Sequence, residues 1–248
     1  MRASVYITLP FVVLSLVTCQ TWLVTSHADE IAIPVSHVDG RPVELPSPPA
    51  EFLELASRAN LKIEFYDPKV IQRSFAGETA FEFQYTYDSR SSWKRKQVDS
   101  KPAIEVSVKY ENIKIQRTHK MTLPQILIGD EIYSHHLTRH EFDHVRLSTD
   151  PRLDPLLTTM LTERNSKITK TLDPDEDEYI GRPTAKDFQR ISKAMVADAS
   201  DKVFNDWVAI VSMRYRELDR VSDYGRDELS SGDRARIFEQ LHTAPEPE

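Results

Sequence analysis

His140-Glu141-Phe142-Asp143-His144 is the stretch on which the reading of this chain turns. Around it Tyr133, Leu137, His140, His144 and Leu147 share one helical stripe, while Arg139, Asp143 and Arg146 share the opposite, wet one. The pattern predicts a helix capped by Asp130 and running to about Ser148, where Asp150-Pro151 stops it. Two histidines four residues apart on a helix stack one turn above each other on the same face. Their imidazoles can therefore reach one zinc ion at about 2.0–2.1 Å. Glu141 lies beside them without taking a ligand position, and it can accept a proton from water that the metal activates. A buried histidine pair with no metal is a poor structural solution, since each ring needs polar partners. The expectation is a metal site with His140 and His144 as ligands and Glu141 as catalytic base. His136 continues the stack, but the outer rings are eight residues apart, about 12 Å along the axis, too far to share one ion. It is expected to be an ordinary polar residue.

Before this helix the period is two. Phe81, Phe83, Tyr85 and Tyr87 point one way, and Ile104, Val106 and Val108 repeat the alternation, continued over 113–117. Leu61 to Tyr66 opens the strand region after a short helix over 52–59. These strands are expected to form a small antiparallel sheet, with the polar run 88–101 as a long hairpin loop. After the helix, a second one starts near Asp154-Pro155 with Leu156, Leu157, Met160 and Leu161 inward. The acidic run 173–178 reads as a solvated linker. Thr184 begins a long helical pattern through Phe188, Ile191, Phe204, Trp207, Val211 and Leu218, with a break expected near Ser200 and an end at Gly225. The order implies an α+β fold: sheet, histidine helix, then a C-terminal helical region.

The 248-residue chain is 40% hydrophobic and 29% charged, a globular balance, and its formal net charge of -7 argues against a nucleic-acid partner. An uncharged apolar stretch from about Val5 to Val24 ends in Ser26-His27-Ala28 before Asp29. This reads as a cleavable signal peptide over 1–28, with a retained membrane anchor as the alternative. The single cysteine, Cys19, lies inside that leader, so the remainder has neither a disulfide nor a thiol nucleophile. A proline-rich segment follows over 29–60, then the main domain over 61–225 and a polar tail over 226–248. A secreted or periplasmic location is expected, with no membrane association once the leader is gone.

The succession of paired strands, Thr122-Leu123-Pro124, the HExxH helix and a long terminal helix resembles the bacterial family of predicted secreted zinc-dependent proteases, which is zincin-like. That family closes its last helix with a pattern of the form Tyr-Asp-x-x-Thr-x-His-Gly. Here the stretch is Leu218-Asp219-Arg220-Val221-Ser222-Asp223-Tyr224-Gly225. Asp219 and Gly225 match, Ser222 replaces threonine, and Tyr224 stands where histidine is expected. The resemblance covers roughly residues 61–225 and implies a metallopeptidase acting on peptide or protein substrates. It also implies a third zinc ligand near the end of the last helix. Tyr224 is the first candidate, Asp219 the second and Glu163 a third. The rival expectation is a catalytically inactive relative in the cell envelope that uses the cleft to bind a partner, motivated by the tyrosine at 224 and the charges at Asp143 and Arg146.

Overall fold

The computed structural model describes residues 32–172 and 184–239. The leader and the acidic run 173–178 lie outside the described residues. The elements run β1 (Val35–His37), α1 (Ala50–Ala59), β2 (Leu61–Tyr66), β3 (Glu78–Val98), β4 (Lys101–Pro124), α2 (His136–Ser148), α3 (Leu153–Arg164), β5 (Lys167–Thr171), α4 (Ala185–Val221) and α5 (Ser231–Glu239). The architecture is α+β.

The sheet is organised by β4, whose length lets it serve two neighbours on one flank. Its first half pairs antiparallel with β5 (Val106 opposite Ile168), and its second half pairs parallel with β2 (Ile63 opposite Met121). Along its other flank it pairs antiparallel with β3 over almost its whole length, and β1 adds to β2 in parallel. The five strands therefore form a mixed sheet, not the antiparallel one expected. Alternation reports which face is buried and carries no information on strand direction. Because β3 returns on the far side of β4, β2 and β4 run the same way.

The polar run 88–101 is not a loop. Both strands continue through it to a two-residue turn at Asp99 and Ser100, each with positive φ (48° and 65°), as a tight hairpin requires. Its polarity reflects exposure, since residues 91–97 of this edge strand are open to solvent. The aromatic alternation holds where the hairpin meets the helices: Phe83, Tyr85 and Tyr87 are buried with Ile104 and Val106.

Two hydrophobic clusters flank the sheet. One joins these strand residues to α3 and to the stripe of α4 through Phe204, Trp207 and Leu218. The other joins α1, β2 and the far end of β4 to Leu137, Phe142 and Val145 of α2. The Trp207 indole N–H donates to the carbonyl of Leu153, satisfying its polar edge inside the first cluster. Helix α4 begins with a reciprocal capping box between Thr184 and Asp187. It runs unbroken through Ser200, whose hydroxyl bonds back to Val196 and to Tyr110. Helix α2 starts at His136, later than expected, and its cap is His135, whose Nδ1 accepts from Leu137 N–H. Asp130 lies in the turn before it.

Within the stretch expected as a polar tail, residues 231–239 form α5. Ile237 is buried in the first cluster, and Arg152 holds the carbonyls of Phe238 and Glu239. Arg234 reaches Asp143 at 3.2 Å, which explains how a residue assigned to the wet stripe is only 6% exposed. Among the described residues no helix is long and apolar enough to cross a membrane.

Candidate metal centre

Most of α2 is buried, and two of its three histidines, His140 and His144, face the last turn of α4. The His140 and His144 rings are nearly perpendicular, with centroids 4.7 Å apart and Nε2 atoms 3.1 Å apart. Asp219 Oδ1 closes the triangle at 3.2 Å from His140 Nε2 and 2.9 Å from His144 Nε2. These three donors form a group that can hold a metal ion. Burial opposes ionisation of Asp219, but when the imidazoles are protonated at Nε2 their hydrogen bonds and charge outweigh it and hold its pKa well below the usual carboxylate range.

The hydrogen bonds around His140 fix its tautomer. The Ser222 hydroxyl donates to the Leu218 carbonyl at 2.8 Å and accepts from Gly225 N–H at 3.1 Å. Its remaining lone pair faces His140 Nδ1 at 3.2 Å, so Nδ1 carries the proton and donates. The Nε2 lone pair is thereby turned toward Asp219 and His144, as ligation requires. Gly225 makes this approach feasible. Its φ is +77°, and a Cβ there would sit 2.8 Å from the His140 ring. The His144 ring is held by packing, 4.3 Å from the Tyr215 ring, and its Nδ1 has no hydrogen-bond partner. Behind Tyr215 a relay of polar groups is closed. The Tyr215 hydroxyl donates to Ser148 Oγ at 3.0 Å, and Ser148 Oγ lies 2.6 Å from Nε2 of the fully buried His119. His119 Nδ1 faces the Ala59 carbonyl, which can only accept, so Nδ1 carries a proton, and burial lowers the pKa of the ring and favours its neutral form.

Glu141 is 2% exposed. Burial raises its pKa, against the opposing influence of His144, His140 and a 2.7 Å hydrogen bond from Thr79 Oγ1 to its Oε2. A carboxylate whose pKa is raised is a stronger base and is suited to take up and return a proton. Gly77 stands against it: a Cβ there would run into Oε1 of Glu141 and lie 2.9 Å from Leu137 Cδ1. The three donors and Glu141 open onto a cleft of about 400 Å³, lined also by Arg73, Phe75 and Thr79 from β3 and the loop before it.

Of the residues singled out in the sequence, His140, Glu141 and His144 converge. The third donor touching the imidazoles is Asp219, not Tyr224. Tyr224 lines the cleft with its ring stacked 4.6 Å from Phe75 and makes no hydrogen bond to either histidine. It is carried past the histidines because Asp223 and Tyr224 both adopt left-handed backbone (φ 45° and 56°), where the chain leaves α4. Glu163, exposed in the last turn of α3, is outside the group, as is His136, which stacks on His135. Thr79, Gly77 and Phe75 had no sequence signal. Ser222 did, as the hydroxyl residue of the terminal signature. Compared with protein-family models, with curated proteins and with solved structures, the chain finds no match in any of the three.

Proposed function

We propose that this protein is an exported zinc-dependent peptidase of zincin-like architecture, with zinc held by His140, His144 and Asp219 and with Glu141 as general base. The observation that carries the reading is the triangle of two imidazole nitrogens and one carboxylate oxygen beside a buried glutamate. Donor spacings of 2.9–3.2 Å suit one small ion: tetrahedral zinc with bonds of about 2.0–2.1 Å separates its ligands by roughly 3.3 Å. Two neutral nitrogens and an oxygen, in a centre that faces a cleft, are the donor set of a catalytic zinc rather than of a closed structural one.

Zinc, when bound, supplies a Lewis acid that lowers the pKa of water to about 7 and polarises a carbonyl. The chain's own groups do the rest. Asp219 and the two histidines hold fixed positions from two helices. Glu141, whose pKa is raised by burial, accepts the proton of the attacking water in its carboxylate form and returns it to the leaving amine. Thr79 fixes the carboxylate that does so.

The test is to measure zinc by mass spectrometry in the purified chain freed of its leader, then to compare cleavage of a denatured protein by the parent and Glu141→Gln. One zinc per chain and proteolysis lost in the variant are expected. Equal proteolysis by the two would reject Glu141 as the base. Bound zinc with no proteolysis by the parent would favour an inactive, partner-binding envelope protein instead.

A further inference from the structure

We infer that Phe75 and Tyr224 form an aromatic platform that selects substrates by a large apolar side chain, aromatic above all, beside the scissile bond. This rests on the peptidase reading and adds the class of residue recognised. Tyr224 is the starting point. Its φ of 56° is left-handed backbone, which a bulky side chain disfavours and glycine or asparagine accepts. The residue is 48% exposed, so its ring contributes little to the core. A tyrosine thus stands where folding alone would favour a smaller residue. What the ring does is meet Phe75, itself 46% exposed, at 4.6 Å and 25° between planes, on the lining of the metal cleft.

The other polar residues of the cleft narrow what that platform faces. Arg73, the one Lys or Arg among the described residues of the lining, is bound to Glu78 at 2.7 Å and lies over the Tyr66 ring. Glu141 is engaged by Thr79, and Asp219 by the two imidazoles. Each of these charges has a partner, so no ionic group is left to choose a basic or acidic substrate residue. Beside the uncharged Gln72 and Ser74, uncommitted surface remains on the outer faces of the two stacked rings, and ring faces favour aromatic and long apolar groups. Trp93 offers a contrast: its stack on Phe188 is absorbed by the packing of the hairpin on α4, far in sequence from the donors.

The experiment uses the full zinc-loaded chain carrying Glu141→Gln, so that peptides bind without turnover. Two fluorescein-labelled peptides of equal length, alike except for a central Phe or Asp, are titrated by fluorescence anisotropy. The aromatic peptide is expected to bind about 10-fold tighter, and the preference to fall below about 3-fold when Phe75→Ala or Tyr224→Gly is added. Tyr224→Gly is also expected to keep or raise the melting temperature, since it relieves the backbone. Equal binding of the two peptides, binding of neither, or a preference that survives both substitutions would overturn the platform. So would a fall in melting temperature in Tyr224→Gly, which would make the ring a structural prop. Aromatic preference without cleavage by the parent would instead reject the peptidase reading and leave the platform standing.

Discussion

Thr79 Oγ1 donates a 2.7 Å hydrogen bond to Oε2 of Glu141, tying the edge strand of the sheet to the middle of the histidine helix. Among the described residues it is the one side-chain hydrogen bond made by that carboxylate, which is otherwise buried beside the two imidazoles. Thr79→Val keeps the shape and removes the donor. Under the proposed mechanism the turnover number should fall about 10-fold or more, with the Michaelis constant little changed and zinc content intact, while Thr79→Ser should restore most of the rate. Steady-state kinetics with metal analysis decides it; an unaltered rate in Thr79→Val removes Thr79 from the machinery.

The third ligand can be assigned by paired substitutions. Asp219→Asn should weaken zinc binding by about 100-fold, because it removes the anionic donor that both imidazoles touch. Tyr224→Phe should leave the affinity unchanged. Competition titration against a chromogenic chelator measures both. A loss in the tyrosine variant and none in the aspartate variant would reverse the assignment.

At Gly225→Ala, the added methyl meets the His140 ring and the backbone is held at φ +77°. Stability should drop by about 1–3 kcal/mol in denaturant unfolding, and zinc affinity should drop with it, since the displaced ring is a ligand under the proposed reading. Intact affinity would mean that the ring is not held by this contact.

His119 should make the protein acid-sensitive well above the carboxylate range. Burial pushes its pKa down to about 4 from an ordinary value near 6.5, against the bond to Ala59. The folded state therefore binds fewer protons than the unfolded one between those values, and stability declines as pH falls through that window. The full shift corresponds to roughly 3 kcal/mol. Asp150, held at about 2 despite its burial by Arg152 and Arg214, adds a second loss as pH falls below 3.8. Unfolding of the parent and of His119→Asn at pH 7.5 and pH 5 should show a smaller pH dependence in the variant. Equal dependence would place the sensitive group elsewhere.

The site was partly legible because its chemistry is local where its helix is local. His140, Glu141 and His144 sit on consecutive turns, and spacing on a helix is geometry. Asp219 was visible only through the resemblance of the terminal signature, and it ranked behind Tyr224. Choosing between them needs the left-handed turn at Asp223 and Tyr224, which is a backbone property of the folded chain. Thr79 and Gly77 were hidden, because their relation to Glu141 depends on which strand edge α2 lies against. In the fold, Leu61–Tyr66 and the aromatic alternation were correctly placed, since burial on one face leaves a mark at every second residue. Strand direction and the hairpin tip were not, because polarity marks exposure equally in a loop and in an exposed edge strand.

The donors stand on helices anchored in different hydrophobic clusters, α2 chiefly in one and α4 in the other, and 75 residues separate His144 from Asp219. An unfolded chain cannot assemble such a centre, because closing that span must await consolidation of both halves. Under the proposed reading of an exported peptidase, the centre would stay inert while the chain is unfolded and form only when both halves have packed, its own completed packing acting as the safety catch.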